Sequence, residues 1–197
     1  MKNVLTIACL LFISFSAYHC APENVKAETN NETTMKAAAA SINAVKDNTK
    51  EANTVKWYTW DEAVAAIAEN PKPMFIDFYT NWCGWCKRMD KDTFQKSKIA
   101  KQLNKDFYPV KFNAEQKEDV VFGGTTYKFV KNGRRGYHEL AAAILQNRLS
   151  YPTTVFLTSE FKIIQVFPGY KKPDQFQVMM DFAKGGYLNS NWAEFNK

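Results

Sequence analysis

Cys83 and Cys86 stand in the segment Trp82-Cys83-Gly84-Trp85-Cys86-Lys87, shortly after the apolar run Met74-Phe75-Ile76-Asp77-Phe78-Tyr79. The run reads as a strand covered on both faces, and the cysteines as the opening of the helix that follows. Cysteines at this spacing lie on one face of a first helical turn, within reach of a disulfide. Unpaired backbone N–H groups and the helix dipole stabilise a thiolate at a helix start. Cys83 is therefore expected to ionise below the ordinary cysteine value and to act as the exposed nucleophile. Cys86, one turn deeper, is expected to be the resolving thiol that breaks a mixed disulfide. Two other chemistries compete. Zinc needs about four ligands and usually a second Cys or His pair, whereas the chain beyond residue 27 offers only these cysteines and His138. A purely structural bridge closing so small a loop constrains the unfolded chain little. Redox chemistry is the expectation, with no metal and no cofactor.

The other two cysteines fall in the N-terminal segment. Lys2 precedes an apolar run from Val4 to Tyr18, too short to span a bilayer comfortably and proportioned like a secretory h-region. Cys20 directly follows it, as in bacterial lipoproteins whose cleavage exposes a cysteine for acylation; Val25-Lys26-Ala27 offers an ordinary signal-peptidase site instead. Residues 1–27 are read as a signal peptide, cut before Cys20 or after Ala27, with Cys20 as the candidate lipid anchor. An exported domain keeps only Cys83 and Cys86, in a compartment where disulfides form.

Composition narrows the classes further. The 197 residues are 46% apolar, enough for one domain with a real core. Fifteen Phe, nine Tyr and five Trp exclude a disordered chain, and only 8 Gly and 7 Pro exclude a collagen-like one. The net charge of +6 is interleaved, as in Lys87-Arg88-Met89-Asp90-Lys91-Asp92, and its one compact basic cluster, Arg134-Arg135 near Lys128 and Lys131, is short. A solvated basic surface is expected, with no nucleic-acid partner.

Residues 28–54 contain no aromatic side chain and read as a flexible linker, 55–188 as the domain, and 189–197 as a tail. Val55–Tyr58 suggests a short strand. Thr59 and Glu62 form a capping-box signal for a helix stopped by Asn70-Pro71. A long helical stretch is expected from the cysteines to about Leu103, then a strand over Phe107–Phe112, where Pro109 indicates a sheet edge. Residues 114–136 read as a loop-rich excursion with turns at Gly123-Gly124 and Asn132-Gly133 and a small strand over Tyr127–Val130. A helix over Tyr137–Arg148, strands over Thr153–Leu157 and Ile163–Phe167, and a helix over Pro173–Lys184 complete an α/β order with a central mixed sheet flanked by helices on both faces.

The block Phe75-Ile76-Asp77-Phe78-Tyr79-Thr80-Asn81-Trp82-Cys83-Gly84-Trp85-Cys86-Lys87 resembles the strand and active-site turn of the thioredoxin superfamily, over roughly residues 55–188. The nearer likeness is to thioredoxin-like proteins of bacterial envelopes, including the C-terminal domain of the periplasmic membrane disulfide reductase. That group shares the capped helix before the strand and a stretch like Lys91-Asp92-Thr93-Phe94. The resemblance implies a thioredoxin fold with an insertion around 114–136, and an activity as an envelope thiol:disulfide oxidoreductase. Its partners would be disulfide-containing exported proteins and a membrane electron donor.

By position, Asp77 matches the buried acid of thioredoxins. A carboxylate in such a run is costly to ionise; it reads either as the group that takes the Cys86 proton or as a structural hydrogen-bond partner. Lys111 matches that acid's supporting lysine, and a surface lysine on an edge strand is the other reading. Pro152 matches the cis-proline beside the active site, which exposes the Tyr151 backbone to an extended substrate; a trans proline opening a strand is the alternative. Trp82, Gly84, Trp85 and Tyr151 would form the docking surface. Trp85 departs from the proline usual in cytosolic thioredoxins, and Lys91 stands where the next helix is normally kinked by proline. The competing functions are a net oxidase or isomerase, a binding module whose cysteines only lock the loop, and a haem or metal carrier with His138 as its one extra ligand.

Overall fold

The structure, a computed structural model, describes residues 53–197. The expected signal peptide, the Cys20 anchor and nearly all of the 28–54 linker lie outside the described residues.

The first helix, α1 (Trp60–Glu69), starts where the capping box places it. The Thr59 hydroxyl accepts from the Glu62 N–H, and the Glu62 carboxylate accepts from the Thr59 N–H. Strand β1 (Met74–Tyr79) follows and runs to the cysteines, and β2 (Tyr108–Asn113) lies parallel beside it. On its other side β1 pairs antiparallel with β7 (Thr153–Leu157), which pairs with β8 (Ile163–Pro168), giving the order β2-β1-β7-β8. The Pro109 signal is met, because β2 is the edge of this sheet. Outside it, Tyr58 contributes a single parallel bridge to Val110 in place of the expected strand over 55–58.

Because β1 is central and covered on both faces, its successive side chains enter two cores. Met74, Ile76 and Phe78 pack with Val110, Phe112 and Val155 against α1 and α4 (Glu139–Ile144). Phe75 points the other way, among Phe94, Phe107, Phe156 and Phe176, beneath α5 (Pro173–Lys184). Asp77 shares that second face by strand alternation.

The chain departs from its sequence expectation in four places. The long helix after the cysteines is broken. It consists of α2 (Gly84–Met89), a π-helical turn Asp90–Phe94 and, after an extended Lys96, α3 (Ser97–Asp106). The Thr93 hydroxyl, buried in this turn, donates to the Lys171 carbonyl at 2.7 Å, so a tertiary contact supplies the bend that proline usually makes. The excursion after β2 is not loop-rich. It forms two antiparallel hairpins, β3 (Val120–Phe122) with β4 (Thr125–Tyr127) and β5 (Phe129–Asn132) with β6 (Arg135–His138). The strand expected over 127–130 is therefore divided between β4 and β5, and the helix expected from Tyr137 shortens to α4, whose N-cap is His138. Finally, the last residues form α6 (Trp192–Phe195), whose Trp192 ring lies 4.6 Å from Phe167 and 5.4 Å from Phe182.

Candidate functional site

The turn after β1 places both sulfurs at the mouth of α2. The Cys83 N–H donates to the Thr80 carbonyl at 3.1 Å, which closes the turn. Cys83 then becomes the N-cap of α2, and its Sγ accepts the Cys86 N–H at 3.1 Å. That contact is where a serine or aspartate oxygen would normally sit, so a thiolate at this position gains a backbone donor. The two cysteines are joined as a disulfide with Cα atoms 5.3 Å apart.

The expectation of an exposed Cys83 is not met in this disulfide form. Cys83 is 4% exposed and Cys86 2%, while Trp82 and Trp85 on either side are 51% and 56% exposed. Between the two tryptophans Gly84 leaves the surface open, since a Cβ there would meet nothing within 4 Å.

Tyr151-Pro152 is a cis peptide. Thr153 pairs with Phe78, so Pro152 lies at the end of β1 where the cysteine turn begins. The Tyr151 ring meets the Trp82 ring edge-on at 6.2 Å. Burial, aided by the Glu115 charge, pushes its phenol up to about 12, so the rim here stays uncharged. Neither backbone group of Tyr151 is engaged among the described residues. An extended partner strand could pair there.

Beneath the disulfide lies a buried charge cluster. The β1–β2 register sets Asp77 beside Lys111, with Lys111 Nζ 2.9 Å from Asp77 Oδ2. Neither Asp77 oxygen receives a well-aligned hydrogen bond, so the contact is an ion pair and the carboxylate remains under-solvated. Burial is the dominant effect on Asp77; it overrides the Lys111 charge and lifts the pKa to about 6, with Asp90 adding to the rise. Burial opposes the Lys111 ammonium, but the Asp77 charge and the hydrogen bond to Asp90 outweigh it and raise its pKa. Lys111 also faces the rings of Trp57, Tyr79 and Phe94 at 4.9, 5.2 and 5.5 Å. A cleft of about 610 Å³, walled in part by Trp57, Asp90, Phe94 and Lys111, connects this cluster to solvent.

Asp77→Asn provides a test of this electrostatic account. The folded-state pKa is raised, so the carboxyl supports the fold fully below about pH 4 and that support is lost as pH rises through 6. The variant should therefore be more stable than the parent at pH 7, by about 3 kcal/mol, and no more stable at pH 4. Urea unfolding at the two pH values reads the difference, and an equal effect at both would contradict it.

The structure thus brings Cys83, Cys86, Trp82, Gly84, Trp85, Tyr151 and Pro152 to one end of the sheet, with Asp77 and Lys111 below. His138 stands apart. Its Nδ1 accepts from the Leu140 N–H, its Nε2 bonds the Glu118 carbonyl at 3.1 Å, and burial holds its pKa down. With both nitrogens used, it caps α4 and is not a ligand. Among the described residues no cluster of His, Cys, Asp or Glu is arranged to hold a metal ion.

Sequence reasoning missed three contributors. Asp90, carried by the π turn, pairs with Lys111. The Trp82 indole donates to both Glu115 oxygens, at 3.0 and 3.1 Å, and the Arg135 guanidinium lies 4.1 Å from its ring centre. Tyr170 meets Trp85 at 5.5 Å, with Arg88 against both rings. The interleaved charge around Asp90 and the pair Arg134-Arg135 were the only sequence signals of the first two.

A Cys-x-x-Cys disulfide capping a helix, a cis-proline at the neighbouring strand and a buried acid paired with a lysine together define a thioredoxin-superfamily protein with a disulfide oxidoreductase fold. More narrowly, the chain belongs to the Thioredox_DsbH family, described as a protein of unknown function, DUF255, whose model matches residues 46–184. Among curated proteins it is 29% identical over 146 residues to an uncharacterized protein of Caenorhabditis elegans, covering 74% of this chain and 18% of that one. It is 36% identical over 69 residues to spermatogenesis-associated protein 20 of Homo sapiens, covering 34% and 9%. It also resembles the thiol:disulfide interchange protein DsbD of Ralstonia nicotianae, with 40% identity over 43 residues, 22% of this chain and 7% of that one. The chain thus spans less than a fifth of these relatives' lengths. Among solved structures, a DsbH oxidoreductase superposes with a TM-score of 0.50 at 16% identity, covering 83% of this chain and 94% of that one. A thioredoxin from Thermus thermophilus gives 0.51 at 18%, covering 70% and 94%. At these identities the likeness establishes the fold.

Proposed function

We propose that this protein is a thiol:disulfide oxidoreductase of the bacterial envelope that reduces disulfides in exported proteins. The observation that carries the reading is the Cys83 sulfur at the N-cap of α2, bonded to Cys86 and accepting its backbone N–H. In the reduced protein the Cys83 thiolate attacks one sulfur of a partner disulfide. A mixed disulfide forms and one partner thiolate leaves. Cys86 then gives its proton to the Asp77 carboxylate through water, and its thiolate attacks the Cys83 sulfur. The Cys83–Cys86 bond forms, the second partner thiolate departs and is protonated, and two electrons have passed to the partner. Lys111, held by Asp77 and Asp90, stabilises the carboxylate between proton transfers.

A poised base for Cys86 speeds release of the partner, and the net direction, reduction rather than oxidation, is set by the potential of the Cys83–Cys86 pair and of its electron donor. The oxidised protein must then be recharged by a dithiol donor at the membrane. The leader-like residues 1–27 and the polar residues 28–54 support export and tethering, with Cys20 as the lipid anchor. Among the described residues no helix is long and apolar enough to cross a membrane.

Full-length Cys86→Ala, expressed in cells, tests this reading. It should accumulate mixed disulfides with exported proteins, resolved by reductant and absent when Cys83→Ser is added. Capture of no exported protein would overturn it. Near-complete burial of both sulfurs favours a second reading, a peptide-binding module with a structural bridge; that module would hold its partner in Cys83→Ser and lack disulfide reduction in the parent.

A further inference from the structure

We propose that the hairpin β5–β6 selects disulfides flanked by acidic residues, with Arg135 as the recognising side chain; this rests on the oxidoreductase reading above and names its substrate class.

The hairpin is built into the domain. The His138 N–H donates to the Ala114 carbonyl at 2.7 Å, and the Glu139 N–H to the Lys128 carbonyl at 2.8 Å, so both ends are tied down. Gly136 lets β5 and β6 close up, since a Cβ there would overlap the Phe129 ring and the Val130 carbonyl. The strand so held delivers Arg135 onto the exposed Trp82 ring beside Cys83. Trp82 is itself oriented on two further sides, by Glu115 at its N–H and by Tyr151 at its edge.

The arginines on the two flanks of the disulfide are paired differently. On the Trp85 side, Arg88 stacks on Trp85 and Tyr170 but is neutralised by Asp92 at 3.2 Å. On the Trp82 side, no carboxylate among the described residues is in salt-bridge contact with Arg135; the Glu115 carboxylate on this flank accepts from the indole N–H and keeps its charge. Arg134 and Lys131 on the same hairpin are likewise exposed and without an acidic partner, whereas Lys128 is paired with Asp119. A guanidinium stacked on a ring keeps its edge N–H donors free, in the fork geometry that matches a carboxylate. The exposed Tyr151 backbone gives an extended chain a place to pair, so side chains next to the partner's cysteine would pass over this flank. A glutamate or aspartate there completes the missing pair and is also steered toward the site.

The experiment uses full-length reduced protein and symmetric cystine peptides differing only in the residues flanking cysteine, which are Glu, Gln or Lys. Single-turnover oxidation of the protein is followed at low and high salt. The glutamate peptide should react about threefold faster than the glutamine peptide and about tenfold faster than the lysine peptide, with the gap shrinking in high salt. Ratios are read within each variant, so loss of folded protein cannot mimic the result. Arg135→Ala should flatten the series and Arg135→Glu should invert it. Equal rates for all peptides in the parent, or an unchanged order in Arg135→Glu, overturn the inference while leaving the oxidoreductase reading intact. Absence of Cys83-dependent turnover of the glutamine peptide would defeat that reading, and the inference with it.

Discussion

Cys83→Ser is expected to abolish disulfide reduction, lowering insulin reduction by about a thousandfold or more relative to the parent. A hydroxyl is not ionised near neutral pH and forms no mixed disulfide, so the first bond of the proposed sequence cannot form. The substitution is also a clean one, because serine is among the best N-cap residues and preserves the start of α2. The lost bridge closes a very small loop, so thermal unfolding should change little. Activity retained in Cys83→Ser would mean that another group, with Cys86 the one cysteine left among the described residues, carries the first attack.

Phe75→Ala is expected to be the most damaging packing change, costing about 3–5 kcal/mol in urea unfolding. The Phe75 ring is fully buried and lies 5.1–6.1 Å from the rings of Phe156, Phe176, Phe94 and Trp57. It therefore links β1 to β7, to α5, to the π turn and to the segment before α1. Those ring neighbours hold it from every side, so the cavity cannot collapse by moving one side chain. Phe94 and Trp57 also wall the Lys111 site, so the variant should loosen the Asp77–Lys111 pair as well. A cost below 1 kcal/mol would show that this aromatic cluster does not hold the sheet to its helices.

The features that position the sulfurs were legible because they are local. The unbroken apolar run at Met74–Tyr79 required a strand with no solvent face, and Thr59 with Glu62 declared the start of α1. Pro109 marked the sheet edge for the same kind of reason, as a residue with no N–H to donate. The cis bond at Pro152 and the proton-transfer role of Asp77 were legible only through resemblance, whereas burial of that carboxylate followed from the apolar run around it. What stayed hidden depends on distant partners. The bend at Asp90–Phe94 is fixed by Thr93 bonding the Lys171 carbonyl, 78 residues further along the chain, and no residue in the turn itself signals it. In the insertion the turns at Gly123-Gly124 and Asn132-Gly133 were legible and are hairpin corners with positive φ at the glycines, whereas the strands they join were not. Of its strand residues only Val120 and His138 are buried, so the hairpins leave little hydrophobic pattern. Arg135 on Trp82 is a meeting of two elements more than fifty residues apart, and only the fold reveals it.

The most direct test concerns the anion that the helix mouth is built to hold. The fully reduced protein is alkylated with iodoacetamide across a pH series, and the site of modification is mapped. The account predicts that Cys83 reacts first and faster than Cys86, with its ionisation midpoint well below that of an ordinary cysteine peptide. A midpoint equal to the peptide's, or a Cys83 that resists alkylation once the bridge is opened, would contradict it.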